Sequence, residues 1–288
     1  MKRILITGKN SYIGTSLERW LADYKDRYLV HTLDVKDAAW REHDFSTYEV
    51  VFHVAALVHK SENPHMAEAY FTVNHDLAVH VATKAKSEGV AQLIFMSTMG
   101  VYGEVGALGA ECVITERTPE RPRTLYGKSK LAAEKSLAEL GGANFRVAIL
   151  RPPMIYGPNC PGNFARLKAL ALASPVFPLF QNERSMLHID NLSEFVKLII
   201  DYDEQGVFFP QDGDYVSTHE IVKAIVEASG RSVRFIQVPK PLIHILGGLS
   251  VVRKLFGNLV YAQSMSGYSK ANYRVRSFAE AVRVMLNE

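Results

Sequence analysis

MKRILITGKNSYIGTSLERWL, residues 1–21, reads as a short apolar strand from Ile4 to Thr7, a tight turn, and a helix with apolar positions at Ile13, Leu17, Trp20 and Leu21. Gly8 and Gly14 bracket the turn. A strand, a glycine turn and a helix N-terminus together form a site for a dinucleotide pyrophosphate, because backbone amides point at the phosphates and the positive end of the helix dipole adds to the attraction. The first glycine permits the sharp turn, and the last lets helix and strand pack closely.

Outward from this unit, strands near 3–7, 28–33, 50–54, 92–96 and 145–150 alternate with helices near 12–23, 66–88 and 124–140. That alternation predicts an α/β fold with a doubly wound parallel sheet. Beyond Pro152 the texture changes: PPMIYGPNCPG is dense in proline and glycine and opens a smaller C-terminal region, with helices expected near 163–172, 190–202, 217–229 and 241–256. The expected division is a dinucleotide-binding domain over 1–153 and a mainly substrate-binding domain over 154–288, some of whose segments return to the first sheet. Ligands of such folds bind beyond the carboxyl ends of the strands.

Composition narrows the function. The 288 residues, 48% hydrophobic, suit one large two-part unit. A net charge of +3, with Lys and Arg scattered rather than blocked, speaks against nucleic acid as a partner. Cys112 and Cys160 form neither a metal spacing nor a disulfide framework, and no metal site is expected. His53 lies in a buried-looking strand and reads as packing. The longest apolar runs, such as VVFHVAALV, fall well short of the roughly 20 residues of a membrane span. The stretch PLIHILGGLSVVRKLFGNLV reads as core rather than a surface anchor, because adjacent glycines weaken it as an amphipathic helix. With no signal h-region ahead of the first strand, the expected location is the cytoplasm.

Tyr126 and Lys130, in LYGKSK, stand four residues apart and share a helix face. An ammonium beside a phenol favours the phenolate, so Lys130 is expected to lower the Tyr126 pKa and poise it for proton exchange near neutral pH. Thr98, in FMSTMGVYG, supplies a hydroxyl to hydrogen-bond the reacting oxygen. Alone the Tyr–Lys spacing is a weak signal; behind an N-terminal glycine turn it points to transfer of hydride between a nicotinamide and an alcohol or ketone.

These residues make the chain resemble an extended short-chain dehydrogenase/reductase of the NAD-dependent epimerase/dehydratase family, which acts on nucleotide sugars. TGKNSYIG resembles the family's TGxxGxxG turn, VVFHVAA the strand and Ala-rich turn under the cofactor, and FTVNHDL the helix with a structural asparagine, Asn74. FMSTMGVYG and LYGKSK resemble the catalytic segments. ILRPPMIYGP resembles the passage into the substrate region, and RSMLHIDNL the segment whose arginine, Arg184, meets the nucleotide diphosphate. The resemblance implies a Rossmann sheet and cofactor contacts at Gly8, Asn10, Ser11, Tyr12, Ile13, Gly14, Asp34, Val35, Ala55, Ala56, Asn74, Tyr126, Lys130 and Pro153. It implies substrate contacts at Thr98, Met99, Tyr126, Met154, Asn163 and Arg184, and a homodimer formed through helices of the cofactor domain. One departure is Ser11, which replaces the family's middle glycine; its hydroxyl can donate to a phosphate oxygen or cap the following helix.

Asp34 stands 20 residues beyond Gly14, where an acidic residue binds the adenosine ribose, which favours NAD. LDVKD also resembles the family's later Asp-hydrophobic element at the adenine, and 28–50 is too short for both. If Asp34 serves the adenine, Lys9 or Lys36 is placed to accommodate the 2′-phosphate of NADP. In the resemblance, Tyr126 exchanges the proton of the sugar hydroxyl, Thr98 holds its oxygen and Lys130 binds the nicotinamide ribose. Family 4,6-dehydratases carry Asp-Glu directly after the threonine. Here Met99 and Gly100 stand there, so dehydration is not expected. The remaining chemistries are 4-epimerisation and 4-keto reduction of a UDP-hexose or UDP-N-acetylhexosamine in bacterial-type polysaccharide-precursor synthesis. The alternative is a non-catalytic dinucleotide-binding redox or metabolite sensor, a class in which the Tyr or Lys is typically lost.

Overall fold

The structure is a computed structural model that describes residues 1–58, 63–103, 111–180, 182–239, 252 and 256–284, with the backbone alone at residue 163. In chain order the elements are β1 (Lys2–Thr7), α1 (Tyr12–Leu21), β2 (Tyr28–Leu33), β3 (Val50–His53), α2 (Ala67–Phe71), α3 (Leu77–Ser87), β4 (Gln92–Met96), β5 (Val113–Ile114) and α4 (Leu125–Leu140). There follow β6 (Arg146–Leu150), β7 (Met154–Tyr156), α5 (Asn163–Ala173), β8 (Val176–Leu179), β9 (Met186–His188), α6 (Ile189–Asp201), β10 (Gly206–Phe208), α7 (Thr218–Ala228), β11 (Arg234–Gln237), β12 (Val260–Tyr261) and α8 (Phe278–Val284).

Two compact units emerge. One comprises Met1–Gly103, Glu120–Arg151 and Leu192–Phe209. It holds a six-stranded sheet in the order β10-β6-β4-β3-β1-β2, every pair parallel. The inner strands VVFH and QLIFM are buried at every residue, as a sheet covered on both faces requires. Strand order reverses at β1, with β2 on one side and β3 on the other, so a crevice opens at the carboxyl ends of β1 and β3. The five strands expected from the sequence lie within a residue of their observed bounds. The sixth, β10, is a three-residue edge strand too short to carry a periodic signal.

No α-helix crosses from β2 to β3. A 3-10 turn over Ala38–Glu42, anchored by buried Trp40, makes the connection, and β2 stays the edge of the sheet. The helix expected over 66–88 is interrupted by a π turn at Thr72–Asp76 between α2 and α3. The core on one face joins Leu5, Val51, Leu93 and Ile149 of the strands to Val81, Ala85, Ala133 and Leu137 of α3 and α4.

The other unit holds the remaining described residues of 111–119, 152–191 and 210 onward. It carries three short parallel pairs, β7–β9, β8–β11 and β5–β12, with α5, α7 and α8. Tyr156 packs in an aromatic cluster with Phe164, His188 and Phe278. Helix α7 begins with a full capping box between Ser217 and Glu220. The helix expected near 241–256 lies outside the described residues except at Val252 and Phe256.

Candidate active site

The turn after β1 runs through positive φ at Gly8 (121°) and Asn10 (63°), a conformation that suits glycine and that asparagine tolerates. A Cβ on Gly8 would stand 2.8 Å from Ala55 N, and one on Gly14 would meet Ser11 Oγ at 2.6 Å and Ile6 Cγ2 at 3.1 Å. Gly8 therefore lets backbone approach backbone between the turns after β1 and β3, and Gly14 lets α1 settle on the side chains of Ile6, Ser11 and Val54. Ser11 caps α1, its Oγ accepting from Gly14 N at 3.2 Å, which leaves its hydroxyl proton to donate. Val54 N and Ala55 N both donate to Thr7 O at 3.0 Å and draw the Ala-rich turn alongside.

Thr98 follows β4 and caps the 3-10 turn Met99–Tyr102, Oγ1 accepting from Gly100 N at 3.0 Å. Thr124 caps α4 through a bond from Gly127 N at 3.0 Å, which places Tyr126 in the first turn of the helix with Lys130 one turn on. The Thr98 side chain hydrogen-bonds the Tyr126 hydroxyl. Lys130, 1% exposed, donates to Met96 O at 2.8 Å and lies 4.4 Å above the Phe95 ring. His53 stacks on Phe95 at 6.0 Å and shares a 2.8 Å hydrogen bond with Thr7 Oγ1. Burial lowers His53 to about 3, with Lys130 adding to the effect, so it stays neutral.

The expected acidification of Tyr126 by Lys130 is reversed. Burial pushes Tyr126 up to about 12, with the Thr98 hydrogen bond pulling the other way and Tyr70 adding to the rise. Burial lowers Lys130 to about 7, against the pull of Glu134. Lys130 lies out of water and Tyr126 is half-buried, so the ionised form of each is disfavoured, and Lys130 spends its hydrogen bond on Met96 O.

Asn74 lies in the π turn and is fully buried. Its Oδ1 accepts from Leu57 N at 2.7 Å, and its Nδ2 reaches Leu57 O at 3.2 Å and Ser129 Oγ at 3.0 Å. Ser129 Oγ in turn donates to Tyr126 O at 2.9 Å. Asn74 thus ties the turn after β3 to the Tyr126 helix through protein atoms, a supporting position rather than a contact position. Asp34 ends β2 with its carboxylate half-exposed, accepting from Lys36 N at 3.0 Å, with Lys36 Nζ 3.8 Å away. The Val35 side chain is buried in the core and only its backbone is left for a ligand.

A glycine turn, an Ala-rich turn and a Thr–Tyr–Lys set thus converge at one end of a parallel sheet. The sequence model of the NAD dependent epimerase/dehydratase family matches residues 4–208. The chain belongs to the NAD dependent epimerase/dehydratase family.

Among its relatives in the epimerase/dehydratase family is a UDP-glucose 4-epimerase of Vibrio cholerae, 30% identical over 285 residues that cover 90% of this chain and 86% of the relative. The N-acetyl-alpha-D-glucosaminyl-diphospho-ditrans,octacis-undecaprenol 4-epimerase of Escherichia coli O157:H7 is 25% identical, covering 96% of this chain and 85% of that one. In fold, the chain resembles the UDP-glucuronic acid 4-epimerase from Bacillus cereus, solved in complex with NAD, with a TM-score of 0.73, 18% identity and coverage of 99% and 96%.

Pro153, Met154, Asn163 and Arg184 belong to the second unit of this epimerase/dehydratase chain. Met154 opens β7 and is half-buried. Asn163 opens α5, and its side chain lies outside the described residues. Arg184 bridges Val216 and Leu259 through its backbone, and its Nη1 donates to Gly257 O at 3.3 Å. Nε has no partner, no carboxylate stands within ion-pair distance among the described residues, and burial lowers the guanidinium to about 10. Met99, 7% exposed, offers no acid or base. Sequence reading passes over Glu134, buried one turn beyond Lys130. The signal that marks it is the i, i+4, i+8 spacing of Tyr126, Lys130 and Glu134 on one helix face.

The approach of Tyr126 to Thr98 depends on Gly127, where a Cβ would stand 2.6 Å from Gly100 O and 3.0 Å from Pro122 Cβ. Overpacking of this kind costs about 1–3 kcal/mol. Gly127→Ala is therefore expected to lower Tm by roughly 2–12 °C, one kcal/mol being worth about 2–4 °C at this size. Gly142→Ala, where a Cβ meets nothing within 4 Å, is the matched control and should melt with the parent. Calorimetry of both variants checks this, and equal melting of the two would contradict the tight packing at Gly127.

Proposed function

We propose that this protein is an NAD-dependent 4-epimerase of a UDP-hexose or UDP-N-acetylhexosamine, serving polysaccharide-precursor synthesis in the cytoplasm as a homodimer. The observation that carries the reading is the Thr98–Tyr126 hydroxyl contact with Lys130 one turn away, at the strand ends where the glycine turn lies. Family membership and the two 4-epimerase relatives support the same reaction class. Among the described residues no helix is long and apolar enough to cross a membrane.

The residues fit the dinucleotide. Gly8 clears a backbone-to-backbone approach that any side chain would block, and the positive end of the α1 dipole lies at the same turn. NAD, when bound, supplies the acceptor and later the donor of hydride at C4. Gly8, Asn10–Gly14, Ala55 and Ala56 would line its pyrophosphate, with Asn74 holding the Ala55–Leu57 turn in place. Asp34, at the end of an edge strand, would accept from the ribose hydroxyls and repel a 2′-phosphate, which favours NAD over NADP.

Tyr126, once ionised, takes the proton of the C4 hydroxyl and returns it, while Thr98, its lone pair engaged by Gly100 N, donates to the same oxygen. The ammonium of Lys130 would stabilise the phenolate during that exchange and would hold the nicotinamide ribose. Met99 and Gly100 provide no group to expel water, so the sugar leaves with its oxygens intact.

Arg184 would clamp the diphosphate. A buried guanidinium without a carboxylate is suited to an anionic ligand, and bidentate bonding to phosphate is the geometry that arginine favours. Arg184→Met is expected to raise the KM for the UDP-sugar about 10- to 100-fold, the equivalent of about 1.5–3 kcal/mol for charged hydrogen bonds, while the NAD affinity stays the same. Steady-state kinetics with each ligand varied checks this, and an unchanged sugar KM removes Arg184 from the site.

A second reading, reduction of a UDP-4-keto sugar, is favoured by one observation: Tyr126 rests as the protonated phenol, ready to donate to a ketone oxygen. One assay separates the two. Interconversion of UDP-GlcNAc and UDP-GalNAc, or of UDP-glucose and UDP-galactose, with no net change in nicotinamide absorbance establishes the epimerase. Consumption of one NADH or NADPH per UDP-4-keto-6-deoxy-N-acetylhexosamine, without interconversion, establishes the reductase and overturns the proposal.

A further inference from the structure

Glu134 is 3% exposed and carries more partners than any packing role requires. Arg151 Nε lies 3.1 Å from each of its oxygens and Nη2 lies 2.6 Å from Oε2, while Ser97 Oγ donates to Oε1. Arg151 also donates from Nη1 to Tyr102 OH at 2.8 Å and to Glu120 Oε1 at 2.9 Å. One carboxylate therefore joins three pieces of chain: the helix of Tyr126 and Lys130, the residue directly before Thr98, and the end of β6. A carboxylate gripped by a planar guanidinium and a hydroxyl is stiff in both distance and angle.

Resting on the hydride-transfer reading above, we propose that Glu134 is a positioning residue of this site: its bonds to Arg151 and Ser97 lock the Tyr126–Lys130 helix against the Thr98 strand end, and its negative charge sustains the ammonium of Lys130. Lys130 is buried to 1% exposure with a single carbonyl as its hydrogen-bond acceptor, and burial alone drives it toward the neutral amine. Glu134 is the charge that opposes this. The other ionisable groups around Lys130 are His53 of β3, held neutral, and Tyr126 on its own helix, with Tyr70 of α2 acting on Tyr126. Arg151, Glu120 and Tyr102 complete the set around Glu134. Of these groups Glu134, one helical turn from Lys130, is the one whose charge raises it.

The test reads Lys130 directly. Protein labelled with 13C at lysine Cε is titrated by NMR, and the Lys130 resonance is assigned by its loss in Lys130→Met. Glu134→Gln is expected to move the Lys130 midpoint down by at least about one unit, a shift that mere loss of packing does not produce. Glu134→Asp should restore most of the midpoint, and Ser97→Ala should leave it in place. The double variant Glu134→Gln, Arg151→Met removes both buried charges, so that no unpaired guanidinium unfolds the chain, and should show a smaller shift in the same downward direction. In turnover, Glu134→Gln is expected to lose at least about 10-fold in kcat with the sugar KM within about three-fold, as expected when an interaction made in the transition state is lost. An unmoved Lys130 midpoint in both Gln variants overturns the proposal, whatever happens to Tm. If the wild type turns over no UDP-sugar, the functional reading fails, while the titration still decides the role of Glu134.

Discussion

Tyr126→Phe is expected to cut turnover by about 1,000-fold or more while NAD binding stays within about two-fold. The phenyl ring keeps the shape of the first turn of α4, so Gly127 still packs on Gly100 and Lys130 still bonds Met96 O. What disappears is the one hydroxyl in contact with Thr98 that can move a proton, and general acid–base catalysis is worth roughly 10²–10⁴-fold. The measurement is sugar interconversion in steady state beside a calorimetric NAD titration. A variant with near-parental turnover would remove Tyr126 from the chemistry. Equal turnover absent from both proteins, with NAD still bound, would favour the sensor.

Lys130→Met is expected to lose turnover by about 100-fold or more and at the same time to raise Tm at pH 6. The stability gain follows from the position of Lys130. Its amine titrates near 7 in the folded chain and about 10.4 when unfolded, so the burial cost is felt in full below pH 7, where both states are charged. From pH 7 to about 10.4 the unfolded chain binds a proton that the folded chain has released, and wild-type stability rises with pH. The advantage of the methionine variant must therefore shrink from pH 6 to pH 9.5. Against it stand the lost hydrogen bond to Met96 O, costing about 1–3 kcal/mol, and the contact with Phe95. The desolvation of the ammonium, only partly offset by the charge of Glu134, outweighs that loss. A Tm difference of at least about 3 °C at pH 6, smaller at pH 9.5, is the expected result. A difference independent of pH would show that Lys130 is charged throughout.

Much of this architecture was legible in local patterns. The strand, glycine turn and helix of residues 1–21 are specified by neighbours in sequence, as are the capped start of α4 and the four-residue spacing of Tyr126 and Lys130. Four of the six strands of the large sheet, β1, β3, β4 and β6, carry continuous apolar runs, the mark of strands buried on both faces, and edge strand β2 was marked by its turn signals and place in the alternation. Strand β10 carried no such mark, because three residues at a sheet edge need no pattern. The crossover from β2 to β3 was readable as short but not as a 3-10 turn held by Trp40.

The sequence by itself determined the fold class, the glycine turn after β1 and the shared helix face of Tyr126 and Lys130, because each rests on backbone geometry and spacing along the chain. The tertiary structure alone decided the charge states of that set and the company it keeps. Burial is a sum over everything that excludes water, and it overturned the expected order of the Tyr126 and Lys130 ionisations. The carboxylate that sustains Lys130 is anchored by Ser97 and Arg151, which only the folding of β4 and β6 beside α4 brings within hydrogen-bonding reach.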